Sequence, residues 1–215
     1  MTRADKPVLL ATVFTDYICP FCYIAEVRLE RLRSDYDLRV NWCFIEIHPE
    51  TPAAGMSTDR LGYSVSLWET MQDNLGDLAR EEGIVFRPHD FTTNSRRALL
   101  LAEAAKEAGA EAFYRLHRGL FAAFFTQGLN IGDNEVLRQI AHDSGVPADL
   151  VTRAWTDAGY VRRLEQYLAA ARELGVRATP TVYFGERRRI DGAQPFSVFY
   201  DAARAAASEQ QSGSS

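Results

Sequence analysis

The chain has 215 residues, 47% of them hydrophobic, which suits one large domain or two small ones and excludes a low-complexity, disordered body. With 24 Lys plus Arg against 29 Asp plus Glu the net charge is −5, a balance that disfavours nucleic acid or an anionic membrane as the main partner, since both are bound through concentrated positive charge. Three cysteines are too few for a disulfide-stapled scaffold, and their odd number leaves at least one thiol without a partner in the chain.

The polar start, Met1 to Lys6, leads into a seven-residue apolar run, Val8 to Phe14, far short of a secretory signal or of the roughly 20 apolar residues a membrane span needs. The expected location is cytoplasmic, with no membrane partner, and in that reducing compartment a close cysteine pair is catalytic or metal-binding more often than structural. The β-branched run Val8 to Phe14 predicts a central strand buried on both faces. Cys19-Pro20-Phe21-Cys22 then opens a helix with Ile24, Leu29 and Leu32 on one face, Pro20 suiting its first turn. Leu38, Val40, Trp42 and Phe44 alternate with polar or small residues as a second strand, completing a βαβ unit.

Pro49 to Ser57 is loop-like. Helical patterns follow at Leu67 to Arg80, Arg96 to Ala108 and around Phe113 to Ala123. Asp133 caps a helix that Gly145 ends, and Pro147 starts the next. Val161, Leu164, Leu168 and Ala171 form the stripe of a longer helix closed near Gly175. Thr181 to Phe184 and Arg187 to Ile190 read as an antiparallel hairpin, and Pro195 introduces a last helix with Phe196, Phe199, Ala203 and Ala206 on one face. Ser208 to Ser215 reads as a frayed polar tail. The order βαβ, helices, ββα is that of one small α/β sheet whose halves flank an inserted helical block.

Cys19 and Cys22 carry the chemistry. Residues three apart on a helix have Cβ atoms roughly 5–6 Å apart, so two thiols there can open and close a disulfide without large backbone movement. Cys19, at the helix start, faces unpaired N–H groups and the positive end of the dipole, which favours a thiolate nucleophile. Cys22, one turn inside, is the resolving thiol. The alternatives are two core cysteines or half a zinc site. Zinc needs about four ligands, and His48, His89, His117 and His142 are scattered singly, so no metal is expected. Ahead of the hairpin, Thr179-Pro180 is a candidate cis peptide that turns backbone groups toward a bound thiol or peptide; a trans proline at a strand edge is the plainer alternative.

The motif Asp16-Tyr17-Ile18-Cys19-Pro20-Phe21-Cys22-Tyr23-Ile24, with Trp42 to Pro52 and Thr179-Pro180-Thr181 before a Val-Tyr-Phe strand, resembles the DsbA-like branch of the thioredoxin superfamily. More narrowly it resembles the FrnE-like group, related to 2-hydroxychromene-2-carboxylate isomerases and kappa-class glutathione transferases. The resemblance implies an α/β thioredoxin fold, residues 1–58 and 175–207, with an inserted all-α domain, 59–174, and a flexible tail, 208–215. It implies Cys19 and Cys22 as the redox pair, with Pro180 as a cis-proline opposite them and Pro20, Phe21, Thr179 and Pro180 contacting substrate. The implied function is dithiol–disulfide exchange on a protein or small-thiol disulfide, by a monomer or homodimer. The alternative is a glutathione-dependent isomerase or transferase acting on an aromatic metabolite. No tightly bound cofactor is expected, and glutathione enters only as a co-substrate. Isomerases of this fold commonly lack the second cysteine, and both are present here. Periplasmic DsbA oxidants carry histidine where this chain has Phe21, so the expected potential is less oxidising than their extreme of about −120 mV.

Other residues admit two readings. Cys43 is a buried inert thiol or an oxidative sensor. Arg187, Arg188 and Arg189 guard a sheet edge or bind the anionic groups of glutathione. Glu46 and His48 are solvated or tune the thiolate. Phe121, Phe124, Phe125, Trp68 and Trp155 are helical core or line a cleft.

Overall fold

The computed structural model describes residues 6–88 and 90–212; His89 lies outside the described residues. A four-stranded sheet of order β2-β1-β5-β6 is built from β1 (Val8–Thr15), β2 (Asp37–Phe44), β5 (Thr181–Phe184) and β6 (Arg188–Asp191). β1 and β2 are parallel, with Val13 opposite Trp42, and α1 (Pro20–Leu32) makes the crossover. β5 runs antiparallel to β1, with Val182 opposite Val13, and β6 folds back on β5. The two ends of the chain thus build one sheet.

Between β2 and β5 lies the helical segment. It comprises α2 (Val65–Glu82), α3 (Arg96–Ala105), α4 (Ala110–Phe125), α5 (Asn134–Ser144), α6 (Ala148–Thr156) and α7 (Ala158–Glu173). Its ends follow local chemistry. The Asp133 carboxylate accepts the N–H groups of Glu135 and Val136 at the start of α5, and Gly145 closes that helix in the left-handed region at φ +77°, which costs glycine little. A two-stranded ribbon, β3 (Met56–Ser57) with β4 (Phe91–Thr92), ties the expected loop to the segment after α2.

Side-chain parity divides the sheet. Leu9, Val13, Trp42 and Phe44 join one cluster with Leu29 of α1, Leu99 and Leu101 of α3 and Phe121 of α4, so sheet and helices share a core. On the other face Phe14 and Cys43 pack beneath Ala171 and Tyr167 of α7. That cover ends early: Val8 and Leu10, on the same face, are 40% and 50% exposed. The first half of β1 is therefore buried on one face only, and the expected two-sided burial holds only toward Thr15, at the end that carries the cysteines.

Two further expectations change. Leu168 is exposed, and the inward line of α7 is Tyr160, Leu164 and Ala171. The last helix, α8 (Phe196–Ser212), continues past Ser208 rather than fraying there, with Phe199, Ala203 and Ala206 buried against the sheet.

Candidate functional site

Cys19 stands where β1 has ended and α1 begins. Its backbone is extended (φ −93°, ψ 112°), Pro20 takes the first helical position, and the Cys22 N–H donates to the Cys19 carbonyl at 3.0 Å. Pro20 loses nothing by lacking a donor there. The thiols of Cys19, Cys22 and Cys43 are all free, and the Cys19–Cys22 pair is nearly closed off, at 5% and 2% exposure. Across from them the Thr179–Pro180 peptide is cis, and the Thr179 carbonyl lies 3.4 Å from Cys19 Sγ. Thr181 anchors that loop, its hydroxyl donating to the Ala178 carbonyl at 2.8 Å with Asp191 Oδ1 at 3.1 Å. Pro180 is buried, and its carbonyl accepts from Gly192 N–H, so Thr179 presents the open carbonyl.

The two thiols are pushed in opposite directions. Cys19 is held below the ordinary thiol range, first by the Cys22 side chain donating to its sulfur, with burial opposing and the Thr179 side chain and the Cys22 N–H assisting. Cys22 is driven well above that range by burial and by serving as the donor. The helix start contributes the Cys22 N–H, while the largest effect comes from the second thiol.

A negative charge works against the thiolate. Asp16, the only charged residue between Val8 and Ile24, is fully buried, and Oδ2 accepts the Ile47 N–H at 2.8 Å. Burial pushes its carboxyl up to about 6, against the Ile47 N–H and the Ser95 side chain, which favour the anion. Sequence reasoning passed over Asp16 as a functional group; a lone acid closing an apolar strand before two cysteines was the available signal. Glu46 forms an ion pair with Arg96 at 2.6 Å and adds a smaller upward push on the Asp16 carboxyl.

At the rim, His48 Nε2 lies 3.0 Å from Tyr63 Oη, and Tyr63 stacks on Trp68, ring centroids 6.1 Å apart. The Tyr63 hydroxyl is raised by burial and then by the Cys19 charge, so this ledge lies within electrostatic reach of Cys19. Trp68 therefore lies at the rim, not in the helical core, whereas Phe121, Phe124 and Phe125 are buried there. Phe21 is half-buried against the core and Pro20 half-exposed beside Cys19. Arg188 and Arg189 are engaged by Glu209 and Asp191 at the far end of the hairpin. Cys43 lies on the α7 face of the sheet, away from the pair, and burial pushes its thiol up to about 11.

The DSBA-like thioredoxin domain model matches residues 11–204, and the chain belongs to that family. Among curated proteins it is 25% identical to the uncharacterized protein YwbO of Bacillus subtilis, over 87% of this chain and 92% of that one. Its fold is shared with the "probable DsbA oxidoreductase" of Streptomyces coelicolor (TM-score 0.79, 24% identity, 92% of this chain and 89% of that one). It is shared also with a 2-hydroxychromene-2-carboxylate isomerase (TM-score 0.72, 21% identity, 96% and 99%).

Proposed function

We propose that the protein is a dithiol–disulfide oxidoreductase with Cys19 as nucleophile and Cys22 as resolving thiol. The observation that carries this reading is the placement of two free thiols at the start of α1 against the cis Thr179–Pro180 peptide, Cys19 Sγ lying 3.4 Å from the Thr179 carbonyl. The Cys22 side chain donating toward Cys19, which lowers the first thiol and raises the second, supports it.

The Cys19 thiolate attacks one sulfur of a substrate disulfide; that S–S bond breaks, a mixed disulfide forms, and the departing substrate thiolate takes up a proton. The substrate sulfur in the mixed disulfide then faces the Thr179 carbonyl, freed from Cys19 once that sulfur carries no hydrogen. Cys22 next loses its proton and attacks Cys19 Sγ. The second substrate sulfur leaves as thiolate, so the substrate gains two electrons and Cys19–Cys22 becomes the disulfide. Run backward, the same steps oxidise a dithiol. Asp16, buried three residues before Cys19 and about half-ionised near pH 6, is a candidate to take the Cys22 proton. The substrates this site suits are disulfides of polypeptides or small thiols that can enter the rim beside Tyr63.

Turnover of a small disulfide by the reduced protein tests the reading. Cys19→Ser should abolish it, and Cys22→Ala should accumulate the mixed disulfide, visible by mass spectrometry. Retained activity in Cys19→Ser overturns the assignment.

A further inference from the structure

A buried polar trio outside the redox steps ties the chain on both sides of the dithiol to the helical segment. His117, fully buried in α4, has Nδ1 at 2.7 Å from Tyr17 Oη and Nε2 at 3.3 Å from Glu26 Oε2. Tyr17 is two residues before Cys19, and Glu26 lies on α1 four residues after Cys22. All three side chains are shielded from solvent, and His117 is packed on Trp42 at 4.3 Å between ring centroids and between Phe113 and Phe121. The Glu26 contact is an ion-pair distance without hydrogen-bond alignment: both Glu26 oxygens and His117 Nε2 lack an aligned partner. Apolar side chains of similar size would fill this space without burying unpaired polar atoms, so packing alone does not account for the trio.

We propose that His117 is a positioning residue for Cys19, acting through Tyr17 and Glu26. With the Tyr17 hydroxyl donating to Nδ1, the hydrogen of the imidazole sits on Nε2, the nitrogen 3.3 Å from Glu26 Oε2. One ring then fixes both the chain entering the cysteine motif and the helix leaving it. What depends on that placement is the set of donors at the sulfur. The Cys22 side chain and N–H belong to α1, whereas Thr179 belongs to the loop before β5. The Cys22 groups travel with Cys19 at the start of α1, but Thr179 meets the sulfur only while α1 keeps its position relative to that loop, and the 3.4 Å from Sγ to the Thr179 carbonyl measures it. This inference rests on the reading of Cys19 as a thiolate nucleophile.

Tyr17→Phe removes one hydroxyl and leaves the ring. The pH dependence of Cys19 alkylation and the equilibrium of the pair with glutathione and its disulfide are measured on the full chain, beside the unfolding midpoint. The expected result is a Cys19 midpoint raised by about half a pH unit or more, a threefold change in ionisation, and a glutathione equilibrium moved at least threefold. Glu26→Gln, which keeps an acceptor toward Nε2, should stay near wild type, and Glu26→Leu should resemble Tyr17→Phe. Unchanged thiol midpoint and equilibrium in Tyr17→Phe, with only the unfolding midpoint lowered, overturn the inference and make the trio structural. If Tyr17→Phe fails to fold, the double variant His117→Phe, Glu26→Leu, which leaves no buried charge unpaired, is read by the same two quantities. Wild-type protein whose Cys19 does not exchange with glutathione disulfide refutes the redox reading and this inference together, whereas exchange in wild type with unmoved variants refutes the inference alone.

Discussion

Asp16 bears a cost that depends on pH. Its carboxyl titrates near 6 in the fold and near 3.8 when exposed, so the folded state holds the proton more tightly. The penalty for burying the anion is absent below pH 3.8, grows between there and about 6, and is constant above. Asp16→Asn should therefore be more favourable at pH 8 than near pH 3.5, by up to about 3 kcal/mol between the two, while the cost of an amide N–H facing donors is the same at both. Denaturant unfolding at the two pH values checks this; an equal effect at both would contradict it. The same substitution removes a charge that opposes the thiolate, so Cys19 should ionise at lower pH. Cys43 is the contrasting thiol. Raised to about 11 by burial, it should remain unmodified at pH 7.5 while Cys19 is alkylated, as peptide mass spectrometry of native protein would show.

At the level of elements, α2 is held mainly by its end. Ala79 is its one buried residue, and Trp68 stands on the rim ledge with Tyr63. What fastens it is Arg28 of α1, fully buried, pairing with Glu82 at 2.8 Å and Glu81 at 2.9 Å while donating to the carbonyls of Ala193 and Gln194. Arg31 also pairs with Glu82 and lies 3.6 Å over the Phe196 ring. Removing one partner of a buried pair strands the other, so Arg28→Ala should cost about 3–5 kcal/mol and speed amide exchange across α2. Arg31→Ala, at a half-exposed position, should cost about 1 kcal/mol or less. Elements with strong local signals were legible in the sequence: the alternation of β2, the Asp133 cap and Gly145 stop of α5, and the Pro-started α1. The β3–β4 ribbon was not, because two-residue strands leave no period, and neither was the exposure of Leu10, which depends on where α7, over a hundred residues away, ceases to cover the sheet. The cysteine pair and Thr179-Pro180 were readable from spacing. The Tyr17–His117 contact was not, since nothing local at either residue signals a partner 100 positions distant.

For the molecule as a whole, the shared core decides how it unfolds. Leu9, Val13 and Phe44 of the sheet and Phe121, Leu99 and Leu137 of the helices belong to one cluster, with Tyr17 stacked between Phe44 at 5.7 Å and Phe121 at 4.9 Å. Sheet and inserted helices should therefore melt together, giving coincident transitions by far-ultraviolet circular dichroism and tryptophan fluorescence. Phe121→Ala, which opens a cavity where the two parts meet, should cost about 3–5 kcal/mol and lower both transitions equally. Two separate transitions would show that the helical segment folds on its own. The shared core is also what lets a histidine on α4 bear on a cysteine at the start of α1.

The central claim is that Cys22 makes Cys19 a thiolate. The most direct test is the rate of Cys19 alkylation against pH in reduced wild-type protein and in Cys22→Ala. Wild type should show a midpoint below the ordinary thiol value of about 8.5, and Cys22→Ala should move that midpoint upward because the principal donor is gone. A wild-type midpoint at or above the ordinary value, unchanged in Cys22→Ala, would contradict the account.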